Sequence, residues 1–119
     1  MSSTLKYSAN DVLFGYTFQD MATNSNTILL FGGHPDDIEI GMGGTARKLS
    51  AGNRKVVACI ATVPNLIAVR KKEAAQAAKI LGIKTVVFLP IPFKKFGFNR
   101  KTIGAIDALL EKIRPSAVF

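Results

Sequence analysis

Thr-Ile-Leu-Leu-Phe-Gly-Gly-His-Pro-Asp-Asp-Ile-Glu, residues 27–39, carries the strongest structural signal in this 119-residue chain. Its first five residues form a mainly apolar run that is typical of a buried parallel strand. An imidazole and two carboxylates follow closely, and His34 is the only histidine of the sequence. Because ligands of open α/β sheets bind beyond the carboxyl ends of the strands, we expect any chemistry to be located at this turn.

Beyond this stretch, predicted strands and helices alternate without a repeat or a linker. Strands are predicted over 27–31, 55–61, 85–89 and from 117 onward, and helices over 39–51, 66–81 and about 103–113. Right-handed crossovers between them predict an α/β, Rossmann-like parallel sheet in the order 3-2-1-4, with helices on both faces. We expect this sheet to be incomplete at the C-terminus, and residues 1–26 to form an N-terminal arm.

The composition of the chain limits the classes of protein to which it can belong. Hydrophobic residues make up 48% of the chain, which fits one folded domain whose strands are covered on both faces. No apolar run approaches the roughly 20 residues that a membrane span needs, and no signal peptide is recognised. The single cysteine, Cys59, lies in an apolar run and is interpreted as a small buried hydrophobe. We therefore expect a cytoplasmic protein without internal disulfides.

The charge of the chain is strongly positive and unevenly distributed. The formal net charge is +8, and all but one of the 16 Lys and Arg residues follow residue 46. This excess invites a nucleic-acid interpretation, with Lys94, Lys95, Arg100 and Lys101 as candidate contacts. However, the cations are spread over several predicted helix faces and few aromatic residues lie between them. We expect no nucleic-acid partner.

The spacing of His34 and Asp37 lets both side chains turn toward one point, and Pro35 stiffens the chain between them. Nitrogen and oxygen donors of this kind suit Zn²⁺. Asp36 would then lie beside the metal without binding it, where it can accept a proton from a metal-activated water. The alternative is purely structural: the carboxylates cap the next helix, and the glycines allow close packing of helix and strand. The length of the motif and its place after a strand favour the site.

This motif resembles the signature of the LmbE-like or PIG-L N-acetylglucosamine deacetylases. The similar residues are His34-Pro35-Asp36-Asp37, Glu39, Gly43-Gly44-Thr45, Arg70-Lys71-Lys72-Glu73, Lys79-Ile80-Leu81-Gly82-Ile83, Ile113-Arg114-Pro115 and Ala117-Val118-Phe119. The resemblance extends over about residues 27–119, which would form the N-terminal part of such a domain. It implies a metal-dependent hydrolase that removes an N-acetyl group from a small molecule containing N-acetylglucosamine.

The resemblance also implies roles for individual residues. His34 and Asp37 are expected as ligands of Zn²⁺ or another divalent metal. Asp36 is expected as the catalytic base. Arg70 is expected to line the sugar-binding edge from near the start of its helix, with Lys71 and Lys72 facing solvent. The alternative for this segment is a simple charged helix start without a substrate role.

Two departures from the family's pattern shape the remaining expectations. The family completes its metal site with a histidine after its fourth strand, and this chain ends at Phe119, before that motif. The family also often has an aspartate after its third strand, whereas residues 90–95 contain no acid. We therefore expect the 119-residue chain alone to be inactive, and keep open that it is a catalytically incomplete Rossmann-like binding module.

An incomplete sheet should leave apolar residues uncovered. We expect exposed apolar surface around Ile103, Ile106 and Leu110, or an oligomer contact that hides it, so a homo-oligomer is a further expectation.

Overall fold

The computed structural model describes residues 26–119, so most of the expected N-terminal arm lies outside the described residues. These residues form one parallel sheet in the order β3-β2-β1-β4, which confirms the predicted order. The strands are β1 (Thr27–Gly32), β2 (Lys55–Ile60), β3 (Thr85–Phe88) and β4 (Ala117–Val118). β4 pairs with β1, and Phe119 extends this pairing because its carbonyl accepts a hydrogen bond from the Phe31 N–H at 2.7 Å.

Three α-helices connect the strands, as predicted. They are α1 (Asp37–Ala51), α2 (Ile67–Leu81) and α3 (Arg100–Ile113), and a single 3₁₀ turn spans Phe93–Lys95. α1 begins two residues earlier than predicted, because the Ile40 N–H already donates to the Asp36 carbonyl at 3.0 Å. The side chain of Asn99 caps α3 by accepting from the Thr102 N–H at 2.9 Å.

The two faces of the sheet are covered by different helices. Successive side chains of a strand point to opposite faces, so β1 contributes to two cores. Leu29 packs in the cluster that α3 completes, while Ile28 and Leu30 pack with buried residues of α1 and α2. The predicted arrangement of helices on both faces is confirmed.

Cys59 is fully buried in the α3-side core, as predicted. Desolvation of the thiolate raises the pKa of this thiol from 9.0 to about 12. The thiol is therefore protonated at neutral pH and behaves as a small apolar side chain.

The expected apolar surface on α3 is only partly present. Ile103 is 45% exposed, whereas Ile106 and Leu110 are half-buried against the α3-side core. The expectation is wrong for these two residues, because the amphipathic face of α3 turns them toward the sheet.

Candidate functional site

The candidate site is the turn between β1 and α1, at the carboxyl edge of the sheet. Its backbone is held to the segment that follows β2, because the Gly33 carbonyl accepts from the Thr62 N–H at 3.0 Å and from the Thr62 hydroxyl at 3.3 Å. Asp36 has a φ of 86°, a left-handed conformation that residues other than glycine seldom adopt. Such strain is typical of functional turns that the surrounding structure holds in place.

His34 and Asp37 come together across this turn. The His34 Nδ1 atom lies 3.5 Å from the Asp37 Oδ2 atom, and the same oxygen accepts a hydrogen bond from the His34 N–H at 2.8 Å. Both side chains are almost half exposed, at 45% and 46%. The backbone bond orients the carboxylate toward the imidazole, while solvent and ligands can still reach both groups.

The donor chemistry of this pair fits a zinc-like ion. Two ligand atoms bound tetrahedrally at about 2.0–2.1 Å from zinc lie about 3.3 Å apart. The observed separation of the His34 nitrogen and the Asp37 oxygen, 3.5 Å, is close to this value. Within residues 26–119, no third His, Cys, Asp or Glu side chain joins them in a metal-sized group. The described part of the chain thus offers two side chains that could bind a metal ion.

The side chain of Asp36 does not cap α1. The residue occupies the N-cap position of this helix, but its carboxylate makes no capping hydrogen bond. The carboxylate is 62% exposed and lies 3.9 Å from the Arg70 guanidinium. The structural alternative is therefore wrong for this carboxylate, which remains accessible beside the His34–Asp37 pair.

Arg70, the residue expected to bind substrate, lies against the turn. Its Nη2 donates to the Pro35 carbonyl at 3.2 Å and its Nη1 donates to the Asn65 side chain at 3.3 Å. The side chain is 23% exposed. The structure thus brings all four predicted site residues to one region of the carboxyl edge.

The alternative role of the glycines, close packing of helix and strand, applies at one position of this segment, Gly32. A Cβ on Gly32 would lie 2.9 Å from the Ile38 Cγ1 atom, so this glycine does allow the close packing of α1 on β1. A Cβ on Gly43 or Gly44 would meet nothing within 4 Å. Helix–strand packing therefore does not account for the Gly43-Gly44 pair.

Two contacts at the carboxyl edge of the sheet were not predicted from the sequence. The Phe93 ring lies 5.9 Å from the His34 ring, centroid to centroid, and the two planes are tilted by 51°. The Lys71 Nζ atom lies 5.0 Å from the centroid of the Phe88 ring, so the expectation that Lys71 faces solvent is only partly right. The position of Phe93 after β3 was the available signal, because the carboxyl ends of parallel strands meet at one edge.

Fold and site together define an α/β protein with a close His34–Asp37 pair at the carboxyl edge of its parallel sheet. The chain belongs to the PIG-L family, the GlcNAc-PI de-N-acetylases, whose profile matches residues 29–119. It is 30% identical to a diacetylchitobiose deacetylase of Thermococcus kodakarensis, over 72% of this chain and 37% of that protein.

Solved structures agree with this assignment. The N,N'-diacetylchitobiose deacetylase of Pyrococcus horikoshii, solved with an inhibitor, superposes with a TM-score of 0.72 at 28% identity, over 87% of this chain and 43% of that one. A conserved protein of Thermus thermophilus superposes with a TM-score of 0.71, also at 28% identity, over 77% of this chain and 44% of that one. The chain therefore spans less than half the length of these relatives.

One further property concerns membranes. Among residues 26–119, no helix is long and apolar enough to cross a bilayer.

Proposed function

We propose that the protein containing this chain hydrolyses the N-acetyl group of an N-acetylated amino sugar. The observation that carries the proposal is the 3.5 Å approach of His34 and Asp37 at the carboxyl edge of β1. The chain's family and its relatives named as deacetylases support the reaction class. We further propose His34 and Asp37 as two ligands of Zn²⁺ or another divalent ion.

A bound divalent ion would supply Lewis-acid polarisation of the amide carbonyl and a lower pKa for the attacking water. The proton transfers would be carried out by a residue of this chain. The uncapped carboxylate of Asp36 accepts the proton of that water as its oxygen attacks the amide carbon. The C–N bond then breaks, and the same carboxyl returns its proton to the leaving nitrogen, which gives acetate and a free amine.

Arg70 would serve substrate binding in this scheme. Two of its nitrogens already bond to the Pro35 carbonyl and to Asn65, so the planar guanidinium is held in one orientation. Its remaining N–H groups are available to sugar hydroxyls, and its charge faces Asp36 at 3.9 Å. We propose that Arg70 orients both the substrate and the base.

The reaction is tested by amine release from N-acetylglucosamine derivatives, using the full product of the gene that encodes this chain. His34→Ala and Asp37→Ala should each reduce release by at least about 10³-fold. Asp107→Asn, which changes an exposed acid of α3, should leave it unchanged. Amine release that persists in His34→Ala would contradict the proposal, as would no release by the unchanged protein in the presence of zinc.

A second candidate is a binding module without catalysis. It is favoured by the finding that only two potential metal ligands meet within the described residues. The same assay separates the two functions, because a binding module would hold an amino sugar without releasing amine.

A further inference from the structure

The amino edge of the sheet, where the strands begin, lies opposite the edge that carries the candidate site. Four segments of the chain meet there: the last turns of α1 and α2 and the turns that lead into β2 and β3. The Ser50 hydroxyl donates to the Leu81 carbonyl at 2.9 Å, which joins the ends of the two helices. The Lys84 N–H donates to the Val56 carbonyl at 2.7 Å, which holds the turn before β3 against β2. Residues that are distant in the sequence therefore form one surface.

This surface carries exposed cations from all four segments. We call them the amino-edge patch: Arg47, Lys48, Arg54, Lys79 and Lys84. The segments that contribute them contain no acid, since no Asp or Glu occurs in residues 40–72 or 74–106. Within residues 26–119, none of the five side chains is paired with a carboxylate. The fold thus gathers cations that the sequence spreads over several elements, and a surface of one sign of charge attracts a partner of the opposite sign.

Helix stability accounts for only part of the patch. Lys48 and Lys79 lie in the last turns of α1 and α2, where a cation offsets the partial negative charge of a helix C-terminus. Arg54 and Lys84 lie outside the helices, in the turns that precede β2 and β3. The helix dipoles therefore do not explain why these two cations join the patch.

An exposed isoleucine lies within the patch. Ile80 belongs to the last turn of α2, next to Lys79, and its side chain is 78% exposed. Glu73 and Ala77 line the cavity between α1 and α2, and Ile80 follows them at helical spacing, so it lies on the flank of α2 that faces α1. Aliphatic side chains beside Lys and Arg are typical of surfaces that bind the interface of an anionic bilayer. Ile80 offers no aromatic ring on which a nucleic-acid base stacks.

We propose that the amino-edge patch docks the protein on a membrane surface rich in anionic phospholipids. The five cations contact the acidic headgroups, and Ile80 enters the boundary between headgroups and acyl chains. β1 has six residues, and at about 3.3 Å per residue it separates the two edges of the sheet by about 20 Å. The candidate site therefore faces water while the protein is docked. Docking goes beyond the proposed function and does not depend on it, because no residue of the patch belongs to the His34 turn.

Vesicle co-sedimentation tests the proposal on the full product of the gene that encodes this chain. The vesicles contain phosphatidylcholine alone or phosphatidylcholine mixed with phosphatidylglycerol. We expect the partition coefficient to be at least about tenfold larger on the anionic vesicles, because each cation near such a surface increases the affinity about fivefold. Binding should be lost in about 1 M salt, where the screening length falls to about 3 Å. Equal binding to both kinds of vesicle would overturn the proposal.

Charge variants show whether the patch itself is responsible. Lys79→Gln/Lys84→Gln should lower the partition onto anionic vesicles at least about tenfold, since two lipid contacts are removed. The matched control is Lys72→Gln/Lys101→Gln, which removes the same charge from exposed lysines near the starts of α2 and α3 and should retain binding. Circular dichroism establishes that both variants fold. A loss of the same size in the control would show that net charge alone drives binding, and the proposal would then be wrong.

Ile80→Ser tests the apolar contact without a change of charge. It should lower the partition onto anionic vesicles at least about threefold, because apolar surface is no longer removed from water on docking. Ile40→Ser is its control, since Ile40 is 83% exposed at the start of α1 and lies at the carboxyl edge. This control should bind like the unchanged protein. Full binding by Ile80→Ser would refute the proposed mode of docking.

Competitors distinguish lipid from other anions. Vesicle binding that persists in an excess of an oligonucleotide or of polyglutamate supports the proposal. Displacement by either competitor, with loss of its own binding in Lys79→Gln/Lys84→Gln, would overturn the proposal in favour of nucleic acid or of an acidic protein. Amine release from a water-soluble N-acetylated sugar, measured without vesicles, should be unchanged in Lys79→Gln/Lys84→Gln. Failure of docking and failure of the proposed function are therefore scored separately.

Discussion

Substitution of Asp36 separates the proposed catalytic role of this residue from its contribution to stability. The carboxylate makes no capping bond, and its one ionic contact is to Arg70 at 3.9 Å with 62% of the side chain exposed. An exposed pair of this kind contributes about 0–1 kcal/mol. Asp36→Asn should therefore change the free energy of unfolding by less than about 1 kcal/mol. Amine release should nevertheless fall by about 10²-fold or more, because the general base is lost.

The left-handed backbone of Asp36 gives a second, independent prediction, which concerns the free energy of unfolding. With φ at 86°, a residue with a Cβ is strained by about 1–2 kcal/mol, while glycine is not. Glycine also gains about 0.5–1 kcal/mol of freedom in the unfolded chain, which offsets part of this relief. Asp36→Gly should thus be about 1 kcal/mol more stable than Asp36→Ala, although both remove the carboxylate.

Urea denaturation followed by circular dichroism measures the free energy of unfolding of Asp36→Asn, Asp36→Gly and Asp36→Ala. Amine release by the full gene product measures their activity. If Asp36→Ala is as stable as Asp36→Gly, the turn is not strained as described. If Asp36→Asn keeps most of the activity, the carboxylate is not the base and the mechanism is refuted.

Three other predictions follow from the same structure. The 119-residue chain alone should release no amine, since only two of the proposed metal ligands come together within the described residues; measurable turnover in the same assay would contradict this. Cys59 should react with a thiol reagent only when denaturant is added. Because folding raises its pKa to about 12, its contribution to stability should decline as the pH rises above about 9, and fast labelling of the folded chain would be inconsistent with its burial. Gly82→Ala should destabilise by about 1–2 kcal/mol or more, since φ is 79° and the new Cβ would lie 2.5 Å from the Ser50 Oγ atom. Gly44→Ala, in open space within α1, is its control and should be neutral or stabilising in urea denaturation.

Local sequence patterns predicted the elements that build the site. The apolar run before His34 predicted β1, and alternation of strands with helices predicted the sheet order. The start of α1 was placed two residues late. The turn's left-handed residue, Asp36, allows the helix to begin directly after it, and a propensity for left-handed backbone is weak in any residue other than glycine.

Contacts between distant segments could not be read from local patterns. The positions of Phe93 over His34 and of Lys71 over Phe88 depend on how the loop after β3 and the helix α2 pack at the carboxyl edge. A helical pattern shows that Lys71 is on a polar face, but not which strand lies beneath it. The absence of an acid from residues 90–95 was visible in the sequence, whereas the cavity that these residues help to form was not.

The metal site is tested most directly by zinc titration of the 119-residue chain against a chromophoric chelator. We expect one weak site, because the two proposed ligands converge within the described residues. Its affinity should fall at least about tenfold in His34→Ala and in Asp37→Asn, and should be unchanged in the control Glu111→Gln on α3. Tight, stoichiometric zinc binding that survives His34→Ala would contradict the assignment of His34 as a metal ligand.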